Sequence, residues 1–264
     1  MKELVIVITG ASSGIGKATS KFLKDKGHIV YGLSRSLGDI DGVSYISTDI
    51  TNRNAVDLAL QKIKTETGRI DVLINNAGMG VSGAIEYATE ADYDKIFNLN
   101  VKVMITLCQL AIPYLRETKG KIINIGSIAG VLTIPFQAYY SMTKASVAIF
   151  SEALRMELKP FKIGVTVVQP GDTKTSFTAN REKPIIVEDE LYKKRIINSL
   201  ARMEKDEQNG VPPTKVSKVI YKVIKKKNPP VSITVGFNYK LFVFLKRLLP
   251  NRLINSILYL MYGK

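Results

Sequence analysis

The stretch Tyr139-Tyr140-Ser141-Met142-Thr143-Lys144 places a phenol and an ammonium four residues apart, at Tyr140 and Lys144. On a helix, positions i and i+4 share one face, with Cβ atoms about 5–6 Å apart. A free tyrosine, with a pKa of about 10, is a poor acid or base at neutral pH. A cation beside it favours the phenolate and brings it towards the range that general acid–base catalysis needs. The pair is therefore a candidate for moving a proton. The same spacing also occurs on helices that merely face solvent, so its meaning depends on the company it keeps.

A second feature is suited to holding an anion. Leu4–Thr9 is a continuous apolar run that reads as a buried parallel strand. It leads into Thr9-Gly10-Ala11-Ser12-Ser13-Gly14-Ile15-Gly16-Lys17, which opens a helical pattern continuing through Phe22 and Leu23. Strand, glycine turn and helix in that order let backbone N–H groups and a helix N-terminus meet a pyrophosphate. The spacing is Gly-x3-Gly-x-Gly, not the commoner Gly-x-Gly-x2-Gly. His28–Leu33 reads as the next strand and ends at Ser34-Arg35-Ser36, where a dinucleotide fold meets the adenosine ribose. An acid there would suit NAD. Arg35, with Lys17 near the turn, suits the 2′-phosphate of NADP instead, so NADP(H) is the expected cofactor, with NAD less favoured.

These residues need a scaffold, and the chain's rhythm supplies one. Further strands are expected at Val43–Thr48, Asp71–Asn75, Lys121–Gly126, Lys162–Gln169 and Val231–Val235. Helices are expected over Asn52–Thr67, Tyr87–Leu115, Tyr139–Leu158, Glu188–Met203 and Thr214–Lys227, with loops at Asp172–Pro184 and Lys205–Pro213. Alternation of strand and helix predicts an α/β fold: a Rossmann-type, doubly wound parallel sheet of about seven strands in a single domain. Ligands of such sheets bind beyond the carboxyl ends of the strands. Gly10–Gly16, Arg35, Asp49, Asn76, Ser127 and Pro170 all fall at those ends.

Composition narrows the chemistry. There is one cysteine, Cys108, and one histidine, His28, so an intrachain disulfide, a thiolate metal cluster and a Ser-His-Asp triad lack their parts. No metal site is expected, and sparse cysteine suits a reducing, cytoplasmic compartment. The start of the chain shows no secretory signal pattern, and no uninterrupted apolar run reaches membrane-spanning length. The net charge is +15, and residues 211–264 carry eleven Lys or Arg and no Asp or Glu. Nucleic acid is not the expected partner, because those cations sit among aliphatic residues and no nucleic-acid motif is present.

Taken together, Thr9–Gly16, Asn75-Asn76-Ala77-Gly78, Asn100, Ser127, Tyr140–Lys144 and Pro170-Gly171 stand in the order of the short-chain dehydrogenase/reductase family, which the chain resembles over about residues 3 to 236. The resemblance implies that Gly10, Ser12, Ser13, Gly14, Ile15 and Gly16 hold the cofactor pyrophosphate. Lys17, Ser34 and Arg35 would recognise the adenosine phosphate, and Asp49 and Ile50 the adenine. Asn76, Ala77 and Gly78 would line the cofactor. Tyr140 would exchange the proton with the substrate oxygen, Ser127 would hydrogen-bond that oxygen, and Lys144 would hold the nicotinamide ribose and tune Tyr140. Asn100 would position a water behind Lys144. Pro170, Gly171, Thr173 and Thr175 would form the nicotinamide-side loop, while Tyr139 is left to packing or the pocket wall. The implied activity is NADP(H)-linked interconversion of an alcohol and a ketone or aldehyde. A 3-oxoacyl-thioester reductase and a silent cofactor-binding regulator are the alternatives. Relatives are often dimers or tetramers, so a homo-oligomer is expected.

The expected catalytic domain is 1–236, with 172–230 as a substrate lid. Residues 237–264 form an apolar, basic extension broken at Pro250, which reads as two short helices. They could lie in a membrane interface, pack on the domain, cover the substrate cleft or form an oligomer contact. A lipophilic substrate of steroid, retinoid or long-chain acyl ketone type is the reading by analogy.

Overall fold

The computed structural model describes residues 2–175, 177 and 189–264. Seven strands form one parallel sheet: β1 Val5–Thr9, β2 Ile29–Ser34, β3 Ser44–Ser47, β4 Val72–Asn75, β5 Lys121–Ile125, β6 Gly164–Pro170 and β7 Ser232–Val235. Their spatial order is β3-β2-β1-β4-β5-β6-β7. The order reverses between β1 and β4, which opens the crevice where ligands of such sheets bind.

Both faces of the sheet are covered, which is why its central strands are apolar at every position. Along β1, Val5 and Val7 enter one core with Val56 and Leu60 of α2 (Arg53–Thr67), Leu107 and Ala111 of α4 (Val103–Thr118) and Val147 of α5 (Ala138–Glu157). Ile6 and Ile8 enter the other, with Leu23 of α1 (Gly14–Lys24) and Val216 and Ile220 of α7 (Pro213–Lys225). The alternation follows from the two-residue period of a strand.

The long helix expected over Tyr87–Leu115 is built in pieces. A 3₁₀ turn at Ile85–Tyr87 precedes α3 (Glu90–Phe97), which starts at Thr89 through a capping box with Asp92. A π-turn at Asn98–Lys102 joins α3 to α4, with the Val103 N–H donating to the Asn98 carbonyl. α4 runs past Pro113 to Thr118. By length and composition Glu90–Thr118 could cross a membrane, though charged residues such as Lys95 and Lys102 interrupt it. Val103, Met104, Leu107, Cys108, Ala111 and Leu115 bury it against the sheet, so it is a core helix here.

The helix expected to end at Met203 is α6 (Glu190–Gln208), extended into the first part of the expected loop by the Arg202–Asp206 pair one turn apart. The expected start of that helix at Glu188, and the loop from Thr178 to Pro184, lie outside the described residues. After β7 the chain forms α8 (Phe237–Leu248) and α9 (Asn251–Tyr262), separated at Pro250 as expected.

Candidate active site

The glycine turn between β1 and α1 is shaped by its backbone. Gly10 and Gly14 have φ of 64° and 51°, a region that side chains disfavour. Gly16 is required for space: a Cβ there would sit 2.1 Å from the Gly10 carbonyl oxygen. Asn76 pins the turn from β4's end, its Nδ2 donating to the carbonyls of Thr9 at 3.0 Å and Gly10 at 3.2 Å. Thr9 Oγ1 accepts from the N–H groups of Asn76 and Ala77 at 3.0 and 3.1 Å. At α1's N-terminus Ser13 makes no side-chain cap and the first turn holds no acid. Its N–H groups and positive dipole end are thus available to an anion.

The phenol and ammonium lie on α5, as their spacing predicts. Lys144 is buried, and its ammonium donates to the Ile125 carbonyl at 3.0 Å, at the end of β5. It stands 5.8 Å from the centroid of the Tyr140 ring. Desolvation lowers its pKa to about 8. Behind it sits Asn100, inside the π-turn and buried. Its Oδ1 accepts from the Met79 N–H at 2.9 Å, while Nδ2 donates to the Met79 carbonyl at 2.9 Å and to Thr143 Oγ1 at 3.1 Å. Thr143 Oγ1 donates in turn to the Tyr140 carbonyl at 2.8 Å. Asn100 is therefore tied to both the β4 loop and the helix carrying Tyr140. A Cβ added to Gly78 would lie 3.0 Å from Asn100 Oδ1 and 3.6 Å from Lys144 Nζ, so the backbone passes close against both groups.

One cleft of about 870 Å³ gathers most of the expected residues. Gly10, Ser12, Ser13, Gly14 and Ile15 line it with Ser34, Arg35, Asp49 and Ile50. Asn76, Ala77, Gly78, Ser127, Tyr140, Lys144, Pro170, Gly171, Thr173 and Thr175 complete that set. Ser127 caps the turn after β5, its Oγ accepting from the Ala129 N–H at 3.1 Å. Asp49 is held anionic, its carboxyl pKa lowered by the hydroxyl and N–H of Thr51. Three expected residues lie outside the lining. Gly16 and Asn100 act through their neighbours, while Lys17 turns aside to pair with Asp39 at 2.7 Å. Arg35 is thus the cleft's cation at the end of β2, without Lys17 beside it. Tyr139 packs edge-on against Tyr93 of α3, with centroids 5.6 Å apart.

The model of the short chain dehydrogenase family matches residues 4–185. The chain is 44% identical to the 3-ketodihydrosphingosine reductase of Bacteroides thetaiotaomicron, over 100% of this chain and 99% of that one. It is 28% identical to the NADPH-dependent 1-acyldihydroxyacetone phosphate reductase of Saccharomyces cerevisiae, over 96% of this chain and 89% of that one. The crystal structure of a short-chain dehydrogenase from Streptomyces avermitilis superposes with a TM-score of 0.81 at 28% identity, covering 94% of this chain and 93% of that one. The chain belongs to the short-chain dehydrogenase family.

As a short-chain dehydrogenase it is an oxidoreductase whose fold takes a nicotinamide cofactor, and its own residues fit that group. The open helix end, the Gly16 approach and Arg35 beyond β2 form a cradle for a bridged, multiply charged anion. The Tyr140 and Lys144 end of the same cleft can deliver a proton.

The far wall of this short-chain dehydrogenase's cleft comes largely from the expected lid segment and the C-terminal tail. Phe177 meets the Tyr140 ring with centroids 5.7 Å apart. Ile134, Gln137, Met203, Asp206, Glu207 and Tyr262 also line it. Tyr262 donates to Asp206 at 2.9 Å, and Arg195 Nε donates to the Gly263 carbonyl at 2.9 Å, so α9 is tied to α6. Tyr239 of α8 hydrogen-bonds Asp172 and packs on Gly171, where a Cβ would lie 2.1 Å from the ring. Ile254, Val243 and Leu258 close over Ile128 and Leu132, just after Ser127. The C-terminal helices therefore pack on the domain and help to roof the cleft. No sequence signal pairs Tyr262 with Asp206; only their shared amphipathic helices hint that something must cover them.

Proposed function

We propose that this chain is a cytoplasmic NADP(H)-dependent ketone reductase, also able to run as an alcohol dehydrogenase, acting on a long-chain lipophilic ketone of the 3-ketodihydrosphingosine kind at a membrane surface. The observation that carries it is the convergence, in one cleft, of Tyr140, Lys144 and Ser127 with the glycine turn and Arg35. Two relatives named for ketone reduction on lipid-like molecules support the substrate class over a steroid or retinoid.

The chain's residues divide the work. Gly10, Ser12, Ser13, Gly14 and Ile15 present N–H groups to the pyrophosphate. Arg35 provides a charge-assisted fork for the 2′-phosphate, and Asp49 and Ile50 border the adenine. Asn76, Ala77, Gly78, Pro170, Gly171, Thr173 and Thr175 wall the nicotinamide end. The reduced nicotinamide supplies hydride to the carbonyl carbon when bound. Negative charge then grows on the carbonyl oxygen, where the Ser127 and Tyr140 hydroxyls donate to it. Tyr140 gives up its proton, and the Lys144 ammonium favours the phenolate left behind. Asn100 holds the π-turn and α5 in register behind them. Phe177, Ile134 and Met203 offer the acyl chain an apolar wall.

Loss of NADPH absorbance with a long-chain 3-keto amine, a steroid ketone, retinal and a 3-oxoacyl thioester tests the reading. Turnover is expected with the first, and Tyr140→Phe should lower kcat by roughly 10²–10⁴. Unchanged turnover in Tyr140→Phe sinks the mechanism, and preference for the thioester sinks the substrate class.

A further inference from the structure

We propose that the outer faces of α8 and α9 form a docking surface for an anionic lipid bilayer, on which the protein lies without crossing it. Phe237, Leu241, Phe244 and Leu248 recur at the i, i+4, i+7, i+11 spacing of a single helix face, and all are exposed, Phe237 at 79% and Leu248 at 65%. Leu253, Ile257 and Leu260 repeat the pattern on α9, with Leu260 at 59%. Other faces are already occupied: Tyr239 and Val243, opposite the stripe of α8, and Ile254 and Leu258, beside that of α9, pack together over Ile128 and Leu132. Both helices are thus apolar on two sides, while one side is enough to hold them to the domain. Among the described residues nothing covers the other. Single exposed leucines are ordinary, but two aligned stripes of large side chains on adjoining elements mark an interaction surface.

The charge selects the occupant. Lys240, Arg247, Arg252 and Lys264 are exposed around these stripes, and residues 211–264 contain no Asp or Glu. At about 100° per residue, Lys240 and Arg247 flank the α8 stripe on one side. Apolar stripe and cationic border match acyl chains and anionic headgroups respectively. A second protein copy would bring the same cations against each other. Each helix has 12 residues, against the roughly 20 needed to span a bilayer, so both lie in its plane.

This docking face rests on the reading of a lipid-directed reductase, so its test carries two independent readouts. The full chain is sedimented with vesicles of equal parts phosphatidylglycerol and phosphatidylcholine, or of phosphatidylcholine alone, and NADPH-linked reduction of a water-soluble ketone is measured beside it. Wild type should co-sediment with the mixed vesicles and far less with the neutral ones. The combined variant Leu241→Ser, Phe244→Ser, Leu248→Ser should lose at least about tenfold in partition. Lys240→Gln with Arg247→Gln should lose about fivefold per charge on mixed vesicles only. None of these five residues lines the cleft, so turnover of the soluble ketone should stand in both variants. Equal sedimentation of the serine variant and wild type overturns the docking face. So does a wild-type oligomer that the serine variant dissolves while neither binds vesicles. If wild type binds vesicles but reduces neither this ketone nor the long-chain 3-keto amine, the docking face stands and the reductase reading falls.

Discussion

Replacing Lys144 with Met should make the protein more stable at neutral pH. Lys144 is 6% exposed, and its ammonium has the Ile125 carbonyl as acceptor. Its pKa falls from 10.5 to about 8 because burial penalises the charge. At about 1.36 kcal/mol per pH unit, holding that charge in the fold costs about 3 kcal/mol. The sign follows from proton counting. Between the folded pKa of about 8 and the unfolded 10.5 the unfolded chain binds the proton and the folded chain does not, so wild-type stability rises with pH there. Below the folded pKa the penalty is present in full. Lys144→Met removes the charge but leaves the Ile125 carbonyl without its donor, a loss of about 1 kcal/mol. The variant should therefore gain about 2 kcal/mol at neutral pH, or about 4–8 °C in Tm. Its advantage should shrink and reverse as pH rises. Urea denaturation of both proteins, from about pH 7 to about pH 10, measures this difference, and the other titrating groups cancel between them. A variant less stable than wild type at neutral pH, or a difference flat in pH, would refute the claim that Lys144 is held as a desolvated cation. Keeping such a residue where Met would fold better is what a site under functional demand looks like.

Three further substitutions probe the turn, the network and the cofactor end. Gly16→Ala forces its methyl against the Gly10 carbonyl and, at 2.6 Å, against Asn76 Nδ2; thermal denaturation should show about 1–3 kcal/mol lost, with weaker NADPH binding by fluorescence titration. Asn100→Ala leaves the half-buried Met79 N–H and carbonyl without their partners and should lose about 1–3 kcal/mol in chemical denaturation, with turnover falling as well. Arg35→Ala should weaken NADPH binding by about tenfold or more and leave NADH binding nearly unchanged. Lys17→Ala should change neither by more than about twofold, since an exposed ion pair such as Lys17–Asp39 contributes little; equal losses in both variants would return Lys17 to the phosphate site.

The parts of the molecule that were legible in its sequence are those whose cause is local. The apolar run Leu4–Thr9 and the glycines after it announce strand, turn and helix because backbone geometry allows little else there. Tyr140 and Lys144 share a face because four residues nearly complete a helical turn. What could not be read depended on distant partners. Lys17 follows the turn in sequence, but Asp39 draws it away. α6 runs past Met203 because Asp206 is held by both Arg202 and Tyr262, the latter 56 residues on. The tail left four readings open, and its inner face chose packing only once Ile128 and Leu132 were there to receive it.

The π-turn at Asn98–Lys102 makes residue count part of this site. A π-turn holds one residue more than the α-turn it replaces. α4 cannot shift to absorb a change, because Val103, Leu107 and Ala111 are locked in the core. Deleting one residue there would close the π-turn into an ordinary α-turn, which completes the same turn with one residue fewer and leaves α3 and α4 nearly in phase. Tyr93 would keep its place, stacked 4.3 Å from Phe97 and edge-on to Tyr139. The loss falls on the turn itself: Asn100, aimed by the widened turn, would be carried away from Met79 and Thr143. The segment can exchange side chains and keep its shape, but its one extra residue is what turns Asn100 inward.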